Sequence, residues 1–136
     1  MSKEYSYGVC PYLIHEDSVY IMLIQPKGHK EYGFSKGKIE IEETIEDCAI
    51  RELFEETGII VKKEHLENYF EQKNRRKDIG VFLVNINNLD LNNRLNLGSS
   101  ECFVIKFFDI LGEVPINNNQ KMILSQIKEF FSAKKV

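Results

Sequence analysis

The stretch that decides the reading runs from Gly37 to Ile59, GKIEIEETIEDCAIRELFEETGI. Thr44 offers a side-chain oxygen to the first free N–H groups of a helix. Asp47, three residues on, is a shorter stand-in for the Glu or Gln of a capping box. A helix starting there is expected to run to about Thr57, with Gly58 as its C′ residue. At about 100° per residue, Glu52, Glu55 and Glu56 fall within one arc of that helix. Back along the same face lie Ala49, Cys48 and Ile45, so a face that starts as core ends as three carboxylates. Like charges at i,i+3 and i,i+4 each cost about 0.2–0.5 kcal/mol even when exposed. A hard cation is the simplest relief. Magnesium takes oxygen ligands, keeps several waters, and binds carboxylates together with substrate phosphates. Taken alone, the glutamates read equally well as a solvated acidic face.

Working outward, Tyr5–Ile14 and Ser18–Gln25 are expected strands, with His15-Glu16-Asp17 as the turn between them. Pro26–Lys36 is expected to be a surface loop with glycines at Gly28 and Gly33. Beyond the helix, Ile59–Val61 and His65–Glu71 are short β candidates. Asp78–Ile86 is a strand with Val81, Phe82, Leu83 and Val84 in a buried run. Asn87–Ser100 reads as an Asn-rich loop and Glu101–Ile110 as another strand. Pro115–Asn119 breaks the chain before a last helix, roughly Gln120–Ala133, where Ile123, Ile127 and Phe130 recur at helical spacing. Lys134-Lys135 suits its frayed, solvated end. Strands on both sides of a central helix imply an α+β fold, a mixed β-sheet with helices packed on it.

The chain of 136 residues fits one domain, 1–136, with no internal repeat. A net charge of −3 gives no overall pull toward nucleic acid or an anionic membrane. Cys10, Cys48 and Cys102 form no CxxC pair and no zinc spacing, so buried thiols in a reducing compartment are expected. No apolar run reaches the length of a membrane span, and Met1–Tyr5 lacks the apolar core of a signal peptide. Cytoplasm is the default expectation and no membrane partner is expected. The sequence carries no signal of oligomeric state.

The spacing around the helix is specific. Five residues separate Gly37 from Glu43 and seven more lead to Arg51-Glu52, followed by Leu53, Glu55-Glu56, Gly58 and Ile59. This resembles the signature of the Nudix hydrolases at every defining position. The resemblance implies a Nudix-type α/β/α sandwich with a catalytic loop-helix-loop and a C-terminal helix. It implies a Mg2+-dependent pyrophosphohydrolase, with Mn2+ as the alternative ion. Glu52, Glu55 and Glu56 would be the principal metal ligands. Glu43 would face the same metals directly or through water, and Gly37 would offer its carbonyl. Arg51 would pair with a motif glutamate and hold it in place. The general base would be a motif glutamate, Glu52 or Glu55, or a glutamate on a later segment, for which Glu101 is the candidate. The competing reading of Glu101 is a surface residue at a strand start.

Phe34-Ser35-Lys36-Gly37-Lys38 resembles the opening of the motif in dinucleoside-polyphosphate hydrolases and mRNA-decapping Nudix domains, with Ser35 where proline is usual. The expected partner is a small-molecule nucleotide, best a dinucleoside polyphosphate such as diadenosine tetraphosphate. An RNA cap or a nucleoside triphosphate is the alternative substrate. A non-catalytic nucleotide-binding module is the alternative class, although such modules commonly lose the motif glutamates that this chain keeps. Lys36, Lys38 and the run Arg75-Arg76-Lys77 are candidates to hold a phosphate chain, a solvated turn being the competing reading of the run. Tyr32 and Phe34 are candidates to stack on a base or to pack in the core. His15, His29 and His65 are isolated and read as structural or exposed.

Overall fold

The computed structural model describes residues 2–87, 89 and 103–134. In chain order they form β1 (Glu4–His15), β2 (Ser18–Pro26), β3 (Ser35–Lys38), α1 (Ile45–Thr57), β4 (Tyr69–Lys73), β5 (Lys77–Asn85), β6 (Phe103–Asp109) and α2 (Lys121–Ala133), with short 3-10 turns at Lys63–His65 and Asn118–Gln120.

β1 is the spine of the sheet. Along one edge it runs parallel to β5, from Glu4 opposite Lys77 to Tyr12 opposite Asn85. Its other edge is shared. Ser6–Val9 pair with β3 and Tyr12–His15 pair with β2, both antiparallel. The changeover falls at Cys10-Pro11. Proline has no N–H to give to a ladder, so Pro11 sits where pairing on that edge lapses. β6 extends the sheet beyond β2, and β4 beyond β5. The β1–β2 hairpin closes on Glu16 and Asp17, both at positive φ, which matches the twist of the strands they join.

Alternate side chains feed opposite faces. Ile21 and Leu23 pack with Ile123, Leu124, Ile127 and Phe131 of α2. Met22 and Ile24 pack with Cys48, Ala49 and Leu53 of α1. Both faces of β2 are therefore covered, which is why it reads as an unbroken apolar run. The result is the expected α/β/α sandwich, with α1 and α2 on opposite sides of one mixed sheet.

α1 obeys its local signals. The Thr44 hydroxyl accepts from the Asp47 N–H at 3.1 Å, and Gly58 sits at φ 81° with its N–H on the Phe54 carbonyl. The Asp47 side chain lies 3.3 Å from Lys63 instead. α2 has no side-chain cap of its own. Gln72 of β4 supplies one, its Oε1 accepting from the Met122 N–H at 2.9 Å.

Three expected elements differ. Ser35–Lys38, assigned to the end of a loop and the start of the motif, is a strand, and four polar and glycine residues carry no alternation that could have marked it. Ile59–Val61 is not a strand. Ile59 and Val61 are buried against the α1 layer, so tertiary packing rather than a ladder explains their β-branched character. The segment read as a strand from His65 opens with the 3-10 turn and becomes a strand only at Tyr69. Cys10 and Cys48 are buried free thiols. Glu101, Cys102 and most of the Asn-rich loop lie outside the described residues. Among the described residues no helix is long and apolar enough to cross a membrane.

Candidate active site

Arg51 sits in the middle of the glutamate arc. Its Nε donates to Glu43 at 2.6 Å and its Nη2 donates to the other Glu43 oxygen at 3.0 Å, a two-pronged pair. Its Nη1 donates to Glu52 at 2.8 Å and to Glu55 at 3.0 Å. Nη2 also reaches the Lys38 carbonyl at 3.2 Å. The Arg51 hydrogen bonds hold the Glu43 carboxyl below its ordinary range. The same bonds, Glu43 first, hold the guanidinium firmly protonated. Part of the repulsion inherent in the arc is thus offset by the chain's own cation.

Glu56 has a different environment. It is half-buried and accepts from the Ser35 hydroxyl at 2.7 Å. Burial pushes its carboxyl up to about 7, against the pull of that hydrogen bond. Next to it, burial and then the charge of Lys77 push the Lys36 ammonium down to about 8. A carboxyl and an ammonium therefore both titrate near neutrality at one place.

Glycine at position 37 is a steric requirement. A Cβ there would lie 2.0 Å from the Glu52 carboxyl carbon, so the carboxylate of α1 rests directly on the backbone of β3. The Gly37 carbonyl faces the Cys48 thiol at 3.4 Å. Burial pushes that thiol up to about 11, which removes it as a nucleophile near neutral pH.

Beside Glu56 opens a cleft of about 600 Å³ lined by Tyr32, Phe34, Lys36, Lys77, Asn117 and Gln120 among others. Four of the residues read as substrate-binding candidates, Tyr32, Phe34, Lys36 and Lys77, thus share one cavity with a motif glutamate. Phe34 is only 2% exposed and belongs to the core on the α2 side, so Tyr32, half-buried with its ring edge-on to Phe108 at 5.0 Å, offers the larger free aromatic surface. Lys38 borders a separate, open hollow with Arg51 and Glu52. Arg75 and Arg76 line another with Ser2, Lys3 and Glu4. The hairpin at Asn74–Lys77 thus divides the basic run, and only Lys77 joins the cleft. Glu55 is exposed.

Two residues of the site are not among the site candidates read from the sequence. Ser35 bonds Glu56, and Gln120 bonds the Phe34 N–H at 2.8 Å across 86 positions of chain. The departure from proline at Ser35 was the one available hint. Gln120 had none.

The donor set suits a hard cation. Among the described residues no three His, Cys, Asp or Glu side chains form a ready-made cage. Magnesium does not need one, since water and substrate phosphates complete its shell around one or two carboxylates. Glu52, cradled on Gly37, and Glu56, a half-buried carboxyl whose ionised form burial disfavours, are oxygen donors that such an ion would favour.

Residues 6–123 match the family model described as the NUDIX domain. Among solved structures, the chain is similar to an Ap4A hydrolase from C. elegans (TM-score 0.71, 21% identity, 96% of this chain and 98% of that one). It is similar to MutT from Aliivibrio salmonicida and Vibrio cholerae (TM-score 0.73, 17% identity, 94% and 98%). It also resembles a MutT/nudix family protein from Enterococcus faecalis (TM-score 0.63, 21% identity), covering 80% of this chain but spanning only 44% of that protein. Identities this low speak for the fold.

Proposed function

The chain belongs to the Nudix family, and from that premise we propose that it is a Mg2+-dependent hydrolase cutting a phosphoanhydride bond in a nucleotide derivative. The observation that carries this reading is the meeting of Glu56, from the carboxylate arc of α1, with Lys36 and Lys77 in one cleft. Carboxylates suit metal ions and lysines suit phosphate oxygens, and a substrate with both needs is a polyphosphate.

Glu52, Glu55 and Glu56 would hold the metal, with Glu43 acting directly or through water and Gly37 leaving room for Glu52. A bound divalent ion supplies neutralisation of phosphate charge and a more acidic water. Arg51 fixes the rotamers of Glu43, Glu52 and Glu55, so that the donors are placed before substrate arrives. Lys36 and Lys77 orient the phosphate chain, and Tyr32 offers a face to a base. A carboxylate accepts the proton of the attacking water, with Glu52, Glu55 and Glu101 as candidates.

For the substrate we favour a dinucleoside polyphosphate. The opening Phe34–Lys38 resembles that branch, and paired lysines in the cleft suit a chain with several charges. The test is a panel with magnesium comparing dinucleoside tetraphosphates, nucleoside triphosphates, ADP-ribose and capped RNA. Hydrolysis that survives a chelator would reject the metal mechanism. A preference for capped RNA or a single-nucleotide substrate would reject the branch and leave the hydrolase standing.

A further inference from the structure

The wall of the cleft around Gln120 is one-sided in its hydrogen bonding. Gln120 is 6% exposed and lines the cleft. Its Oε1 accepts from the Phe34 N–H at 2.8 Å. A backbone N–H can only donate, so the atom opposite it must be the carbonyl oxygen, and the orientation of the amide is settled. Gly33 makes room for this arrangement, because a Cβ there would fall 2.8 Å from both Nε2 and Oε1. Among the described residues, Nε2 has no protein acceptor, so its hydrogens are left for whatever enters the cleft.

The neighbouring backbone acceptors each already take a hydrogen bond. The Gly33 carbonyl takes the Ile24 N–H at 2.9 Å, and the Tyr32 carbonyl takes the Asn117 N–H at 2.9 Å. Asn117 turns its own side-chain oxygen to the Asn119 N–H at 3.0 Å and its amide nitrogen to Glu31 at 3.3 Å. Glu31 and Asn119 are exposed at the cleft, where water competes for them. The half-buried Tyr32 ring lies in the same cavity as a surface for a flat heterocycle.

We propose that Gln120 is a base-reading residue whose unengaged group is a donor, so that the cleft selects a purine with a carbonyl at C6, guanine, over one with an amine there, adenine. This rests on the nucleotide-hydrolase reading above and names the base within it. A glutamine reads adenine by using its oxygen and its nitrogen together. Here the oxygen is engaged by Phe34, whereas the O6 and N7 edge of guanine is acceptor only and meets Nε2 without a clash of donors.

The experiment compares kcat/KM for diguanosine and diadenosine tetraphosphate, and for GTP and ATP, in parent, Gln120→Glu and Gln120→Met. Calorimetric titration with GMP and AMP gives the same comparison without turnover. The parent should favour guanine by about tenfold at equal phosphate length, the scale of one well-made base contact. Gln120→Glu keeps an oxygen on the Phe34 N–H and turns an acceptor into the cleft, so its ratio should move toward adenine. Gln120→Met keeps the bulk without the donor, so its ratio should approach parity. Melting curves establish that each variant is folded, and if neither folds, the parent ratios decide. Equal treatment of the two bases by the parent, or a ratio that both folded variants leave unchanged, overturns the inference while the hydrolase stands. If no nucleotide is either cut or bound, the hydrolase reading falls and takes the inference with it.

Discussion

α1 and α2 are both 13 residues long and lie on opposite faces of the same sheet, yet they are held by different means. α1 is bracketed by its own neighbours, Thr44 at one end and Gly58 at the other. α2 is bracketed by the sheet. Gln72 caps its first turn from β4, and Gln126 donates to the Glu71 carbonyl at 3.0 Å. Their surfaces differ in the same sense. α1 buries Cys48, Ala49, Leu53 and Thr57 and carries Arg51, Glu52, Glu55 and Glu56 in its last two turns, while α2 buries Ile123, Leu124, Ile127 and Phe131. A helix that closes itself can carry a repulsive cluster at its end. A helix that depends on its neighbours is better spent on packing.

The comparison breaks first at Glu56. Glu56→Gln should lower kcat/KM on the order of a thousandfold, about 4 kcal/mol in the barrier, while the melting temperature of the metal-free protein holds or rises as a clustered charge is removed. A melting temperature that falls with the activity would make Glu56 a structural group and erase the contrast between the helices. The next effect belongs to α2. Ile127→Ala should cost about 2–5 kcal/mol in urea denaturation, because Ile127 is fully buried, and should leave kcat/KM per folded molecule close to the parent value.

Smaller effects sharpen the same line at the caps. Thr44→Ala and Gln72→Leu should each cost about 1 kcal/mol. Native-state hydrogen exchange separates them. Thr44→Ala should loosen only the first turn of α1, whereas Gln72→Leu should loosen β4 and the start of α2 together. The smallest effect is a pH signature of the α1 end. The folded Glu56 carboxyl is raised from 4.5 to about 7, so the native state binds more protons across that window and metal-free stability should fall as pH rises through it. The folded Lys36 ammonium is lowered from 10.5 to about 8, so the unfolded state binds more protons above 8 and stability should recover from there to about 10.5. Thermal melts of the metal-free protein should therefore show a shallow dip between pH 7 and 8, partly screened because both groups touch solvent, and Glu56→Gln should remove its acid side.

What could be read in advance follows from where the determinants lie along the chain. α1 was legible because its stop signals are within a turn of its ends and its glutamates repeat at helical spacing. β2 and β5 were legible because burial on both faces leaves their central residues apolar. β3 was hidden because its strand character comes from the partner Tyr7-Gly8, not from Ser35–Lys38 themselves. The division of Arg75-Arg76-Lys77 between two hollows was hidden because a hairpin turn sends adjacent side chains different ways. Gln120 was hidden because a lone amide at a helix start has no periodicity and its partner Phe34 is remote. The helix of the motif and its caps were readable in the sequence, and the cleft beside it had to be seen in three dimensions.

The parallel alignment of β1 with β5 has a consequence for how the molecule is made. Glu4 faces Lys77 and Tyr12 faces Asn85, so the spine of the sheet, made before the other strands described, cannot be completed until β5 has followed it. The β1–β2 hairpin can close as soon as it emerges, since only Glu16 and Asp17 separate its strands. During that interval the other edge of β1, with Val9 and Cys10 on it, waits without its partner, and pairing so distant in sequence is slow to search. Synthesis thus passes through a stage in which an apolar strand edge is open to wrong partners. The residues that close that edge are those of β5.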